Sequence, residues 1–89
     1  MRASNVGAMI DHDGMTPVYV QVADVIAARI AGGELPPNRP IPSEATMQQE
    51  FGIARGTARK AVDLLRERGL VATVPGRGTF VLPARDATP

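Results

Sequence analysis

Apolar residues recur at spacings of three and four in two stretches of this chain, and proline and glycine fill the intervals around them. In the first stretch Tyr19, Val22, Ala23, Ile26 and Ile30 fall on one face, while Gln21, Asp24 and Arg29 lie elsewhere on the cylinder. Thr16-Pro17 precedes it. A threonine can cap free N–H groups, and a proline fits the first helical position because its missing N–H had no partner to lose. Gly32-Gly33 closes the stretch, so the pattern predicts a helix of about four turns. The second stretch covers residues 51–70. There Ala58, Ala61, Val62 and Leu65 form the stripe a helix buries, and Arg55, Thr57, Arg59 and Lys60 crowd its first turns. This helix is expected to run from about residue 55 to 68, with Gly69 stopping it at low steric cost.

Between the two, Pro36, Pro37, Pro40 and Pro42 exclude a helix over residues 34–42. That segment reads as an ordered connector anchored by Leu35 and Ile41, with a short edge strand around residues 40–42. Ser43 is expected to cap a short second helix, with Glu44 in a first turn that favours negative charge. Ala45, Met47 and Phe51 are its apolar positions, and Gly52, Ile53 and Ala54 form a tight turn into the third helix. After Gly69 the period changes. Residues 70–74 and 79–82 are β-favouring runs separated by Pro75-Gly76-Arg77-Gly78, a linker of hairpin length. The fold class expected is therefore mainly α with a small β hairpin, a three-helix winged helix-turn-helix. Residues 1–14 show no periodicity and are expected to form a disordered leader, residues 15–82 the folded domain, and residues 83–89 a frayed tail.

Composition narrows the chemistry. Eighty-nine residues make one small domain with a modest core. Without cysteine there is neither a disulfide framework nor a thiolate metal site, and the single His12 lacks partner ligands. Ser4 and Ser43 have no neighbouring histidine, the carboxylates are scattered, and the glycines form no phosphate loop, so neither enzyme activity nor a cofactor is expected. No stretch approaches the roughly 18 apolar residues of a membrane span, and the N-terminus has no signal-peptide core. Expected are a cytoplasmic location and no membrane partner. The net charge of +1 conceals an asymmetry, because residues 1–51 carry three arginines against six carboxylates and residues 52–85 seven cations against two. A basic half joined to an acidic half points to a polyanion met by one face.

Geometry then proposes which residues meet it. The major groove admits one helix, whose first turns reach base edges. Arg55 and Arg59 are four apart and share a face with Thr57 beside it, each arginine suited either to a guanine or to a phosphate. Gly56 has two readings, a close approach to a phosphate or a tolerated defect in an exposed first turn. Arg77, between Gly76 and Gly78 at the wing tip, either enters a minor groove or keeps a turn polar. Two rivals compete with DNA recognition. One is a winged-helix protein-interaction module, marked by intramolecular ion pairs on Arg55 and Arg59. The other is a non-specific nucleoid or RNA-binding protein. Tyr19, Phe51 and Phe80 are all absorbed by the core, which leaves no stacking platform for single strands.

Several of these segments, in this order, resemble the N-terminal DNA-binding domain of the GntR family of bacterial transcription regulators. They are Val18-Tyr19-Val20-Gln21-Val22-Ala23, Gly33-Glu34-Leu35, Ile41-Pro42-Ser43-Glu44, Phe51-Gly52-Ile53 with Arg55, Thr57, Arg59 and Ala61, Arg68-Gly69-Leu70-Val71, and Gly76-Arg77-Gly78-Thr79-Phe80-Val81. The resemblance implies a transcription regulator, a repressor by expectation, binding a two-fold symmetric double-stranded operator as a homodimer. It places the third helix in the major groove and the wing in the minor groove. Arg55, Thr57, Arg59, Gly76 and Arg77 fall on the family's DNA-contacting positions, and Ser43, Gly56 and Lys60 complete the candidate set. Three positions depart from the family pattern. Ala45 stands where an arginine that contacts DNA is usual, Ala54 where a serine or threonine caps the recognition helix, and Ala58 where a larger aliphatic packs. Family members also continue into a C-terminal effector and dimerisation domain, whereas this chain ends at Pro89. A stand-alone regulator with no small-molecule effector site within these residues is the expectation.

Overall fold

A computed structural model describes residues 10–83. They form three helices followed by a hairpin: α1 (Val18–Ala31), α2 (Glu44–Phe51), α3 (Arg55–Glu67), β1 (Val71–Val74) and β2 (Gly78–Val81). This is the expected winged helix-turn-helix. Of the terminal segments expected as leader and tail, residues 1–9 and 84–89 lie outside the described part. Residues 10–14 are folded against α1. Ile10 packs on the core, the Asp11 N–H donates to Gln21 Oε1 at 2.7 Å, and Gln21 Nε2 donates to the Asp11 carbonyl at 2.8 Å.

The start of α1 differs from the sequence reading. Pro17, not Thr16, is the N-cap, and no side chain caps the helix. The Pro17 backbone is extended (ψ 143°), which moves the first helical residue to Val18. Thr16 contributes its carbonyl, which accepts from Gln21 Nε2 at 2.8 Å. Val22, Ala23 and Ile26 are fully buried as expected, and Val25 joins them to widen the stripe.

Ser43 caps α2 through a hydrogen bond from the Thr46 N–H to its Oγ at 3.0 Å. Met47 and Phe51 enter the core, but Ala45 is exposed and makes no apolar contact there. The reason is spacing: Met47 and Phe51 are four apart and define the inward face, and Ala45 lies about 200° round the helix from Met47. Gly52 (φ +65°) then reverses the chain in a conformation that costs other residues strain. This turns α3 across α2 and α1.

Ala58, Ala61, Val62 and Leu65 bury the inner face of α3. With Ala58 and Ala61 fully buried, the small side chains let the neighbouring helices come close. No polar side chain is buried among the described residues, so packing of the apolar cluster holds the domain together. Ion pairs tie its rim. Arg68 meets Asp24 at 2.9 Å, joining the end of α3 to α1, and Arg29 pairs with Glu50, joining α1 to α2. The Arg29 guanidinium also lies 5.6 Å from the centre of the Phe51 ring. The hydrogen bond to Glu50 holds its pKa above the ordinary arginine value despite partial burial.

The hairpin is antiparallel, pairing Val71 with Val81 and Val74 with Gly78. Val71 and Val81 bury against the helices. The connector before α2 adds to the outer side of β2: Pro40 forms a bridge with Phe80, the Ile41 N–H donates to the Thr79 carbonyl at 3.0 Å, and the Val81 N–H donates to the Arg39 carbonyl at 2.9 Å. The edge segment expected around residues 40–42 is therefore present, centred one residue earlier.

Candidate nucleic-acid interface

Ala54, the N-cap of α3, has an extended backbone (φ −77°, ψ 160°) and supplies no side-chain cap. No side-chain hydrogen bond therefore closes the first turn of α3. Arg55 and Arg59 project from it into solvent, with side chains 70% and 61% exposed. Both lie against one carboxylate. Glu44 at the start of α2 places Oε1 3.5 Å from Arg55 Nε and Oε2 3.6 Å from Arg59 Nε. These are the intramolecular ion pairs named as the mark of the protein-interaction rival. They are exposed, and pairs of that kind contribute about 0.2–1 kcal/mol each, far too little to withhold either guanidinium from a polyanion.

The other candidates are distributed unevenly around this pair. Gly56 is exposed, and a Cβ built there meets nothing within 4 Å, so no contact inside the chain requires a glycine. Thr57 does not stand beside the arginine face as expected: it is half-buried and sits about 200° round the helix from Arg55, because two residues of an α-helix turn a side chain to the opposite side. Lys60 is turned toward α1, with Nζ 5.6 Å from the centre of the Tyr19 ring. Ser43 is exposed, but its hydroxyl is engaged at the start of α2: it accepts from the Thr46 N–H and lies 3.0 Å from Thr46 Oγ1.

At the wing tip the Arg77 N–H donates to the Val74 carbonyl at 2.9 Å. Gly76 takes φ +78° at the third position of that turn, where a type II turn requires a positive φ. Arg77 is exposed and makes no ion pair among the described residues. The base of the wing is tied to α3 by Arg66, which pairs with Asp63 and donates to Thr73 Oγ1 at 2.8 Å; Thr73 in turn reaches Thr79 at 3.0 Å. The basic residues of the second half thus divide by task. Arg66 and Arg68 brace the fold, whereas Arg55, Arg59 and Arg77 stand out from it.

Glu44 is the participant that sequence reasoning missed. Its place in the first turn of α2 was legible, but its pairing with residues eleven and fifteen positions later depends on the angle between α2 and α3.

The model of the family described as "Bacterial regulatory proteins, gntR family" matches residues 18–81. The chain belongs to the gntR family. Among curated gntR-type relatives it is 42% identical over 72 residues to the mannosyl-D-glycerate transport/metabolism system repressor MngR of Escherichia coli, covering 81% of this chain and 30% of that protein. It is 40% identical over 72 residues to the transcriptional repressor NagR of Bacillus subtilis, again covering 81% and 30%. The chain therefore spans about a third of the length of the curated relatives it matches. Among solved structures, the AraR DNA-binding domain in complex with operator ORR3 matches with a TM-score of 0.71 and 41% identity, over 80% of this chain and 86% of that one. YtrA of Sulfolobus acidocaldarius, a GntR-family transcription factor, matches with a TM-score of 0.75 and 35% identity, over 84% and 79%. The fold is that of the family's winged-helix DNA-binding domain, and family and fold are those of transcription regulators, not of enzymes.

Proposed function

We propose that this domain recognises a double-stranded operator in a sequence-specific manner and represses transcription from it, acting in the cytoplasm as a homodimer on a two-fold symmetric site. The observation that carries the reading is the pair Arg55 and Arg59, four apart and exposed on the first turns of α3 in a family of DNA-binding regulators. In this reading the first turns of α3 enter the major groove, where arginine meets guanine O6 and N7 in a bidentate contact. The Gly76-Arg77 tip reaches a minor groove, whose negative potential attracts arginine. Gly56 allows close approach to a phosphate and Ser43 lies beside the contact, whereas Thr57 and Lys60 stand on other sides of α3 from the arginine pair. Ala45 supplies no cation at its position, so the salt dependence of binding is shallower by about one phosphate contact than with arginine there.

Binding-site selection from random duplexes with the 89-residue chain tests the proposal, since an enriched motif also gives half-site spacing. Arg59→Ala is expected to lose one bidentate contact, about 1–3 kcal/mol of discrimination, with the melting temperature retained. Binding as tight as the parent's in a gel-shift titration would show that α3 is not the reading element. A footprint enriched in no motif would favour the non-specific rival.

A further inference from the structure

Arg55 and Arg59 are a like-charged pair four residues apart, an arrangement that disfavours the helix carrying it. Two long, exposed side chains in that position have many rotamers and repel one another, so a free α3 would present them in no fixed register. Glu44 changes this. Its carboxylate stands between the two guanidinium groups with one oxygen toward each, Oε1 to Arg55 Nε and Oε2 to Arg59 Nε. It is itself well placed for a negative charge, in the first turn of α2 beside the capping Ser43. The atom approached on each arginine is Nε, so each terminal pair of nitrogens is left to meet a base edge end-on. The triad keeps a net positive charge and still attracts a polyanion.

We propose that Glu44 is a specificity-determining positioning residue. It holds the two guanidinium groups side by side in a register that matches base edges, and so adds affinity for the operator but not for other duplexes. The inference rests on the proposed reading of α3 as the base-reading element. Its signature is separable from simple charge. A carboxylate near DNA repels the phosphates of every duplex alike, so that effect cancels in the ratio of operator to non-operator affinity. Positioning acts only where bases are read, and it survives in the ratio.

The test uses the whole chain, a duplex obtained by selection from a random library, and a shuffled duplex of equal length and composition. Glu44→Gln keeps the shape and removes the charge. It is expected to raise or preserve affinity for the shuffled duplex and to lower the operator-to-shuffled ratio about two- to thirtyfold, the range two exposed charge pairs span. In an Arg55→Ala, Arg59→Ala background the same change is expected to leave the ratio alone. Glu44→Asp, which keeps the charge on a shorter arm, is expected to fall between parent and Glu44→Gln, and serves also if Glu44→Gln fails to fold. An unchanged or higher ratio in Glu44→Gln overturns the proposal, as does an equal fall in the background lacking both arginines, which would make Glu44 a direct reader. If the doubly substituted chain keeps the parent's sequence preference, the reading of α3 itself fails; no behaviour of Glu44→Gln produces that result.

Discussion

The missing cap of α3 offers a stability experiment with an internal control. Ala54 and Ser43 stand at equivalent positions before two successive helices, with nearly the same backbone: φ −77°, ψ 160° for Ala54 and φ −68°, ψ 164° for Ser43. At Ser43 that geometry delivers a hydroxyl oxygen 3.0 Å from the backbone N–H three residues on. Ala54→Ser is therefore expected to do the same for the Thr57 N–H. Ala54 is exposed, so nothing is lost from the core. A serine cap in place of alanine stabilises by about 1 kcal/mol, which raises the melting temperature of a domain this small by about 4–8 °C. Ser43→Ala is expected to lower it by a similar amount. Thermal unfolding followed by circular dichroism reads both changes. A chain destabilised by Ser43→Ala but indifferent to Ala54→Ser would refute the reasoning, because two ends of the same geometry would then not obey the same rule.

Two further changes separate the readings left by single residues. Gly56→Ala meets open space within the chain and should stabilise α3 by up to about 1 kcal/mol; a gain in melting temperature with a loss in gel-shift affinity identifies close approach to DNA, and unchanged affinity identifies a tolerated defect. Arg77→Ala should weaken binding and reduce the slope of log affinity against log salt by about 0.9, as measured by fluorescence anisotropy from low to moderate salt; an unchanged slope would remove Arg77 from the interface.

Much of the fold was legible in the sequence because its punctuation is strong. Gly52 and Gly69 take the positive φ values their places at helix ends predicted, and the spacing of Ala58, Ala61, Val62 and Leu65 marked the buried face of α3 without error. The start of α1 was less legible, since Thr16-Pro17 fits two cap registers and the extended Pro17 backbone selects the later one. Ala45 was misplaced because a short helix with few apolar residues defines its inner face poorly. Ile10 escaped notice because it binds the core from an aperiodic segment. In the candidate site the arginines were visible as a local cluster. Their shared carboxylate was not, because the contact is set by tertiary geometry between α2 and α3 and leaves no local pattern.

The bridge between Pro40 and Phe80 joins residues forty positions apart and encloses both helices of the helix-turn-helix. Closing so long a loop costs entropy before any contact at its ends offsets it. A two-stranded hairpin is marginal by itself in water, so β1 and β2 gain stability only as α2 and α3 pack and bring the connector alongside. The stability of the wing is thus coupled to the packing of the helices it stands beside. Once formed, β2 is held from two sides, by β1 and by the connector.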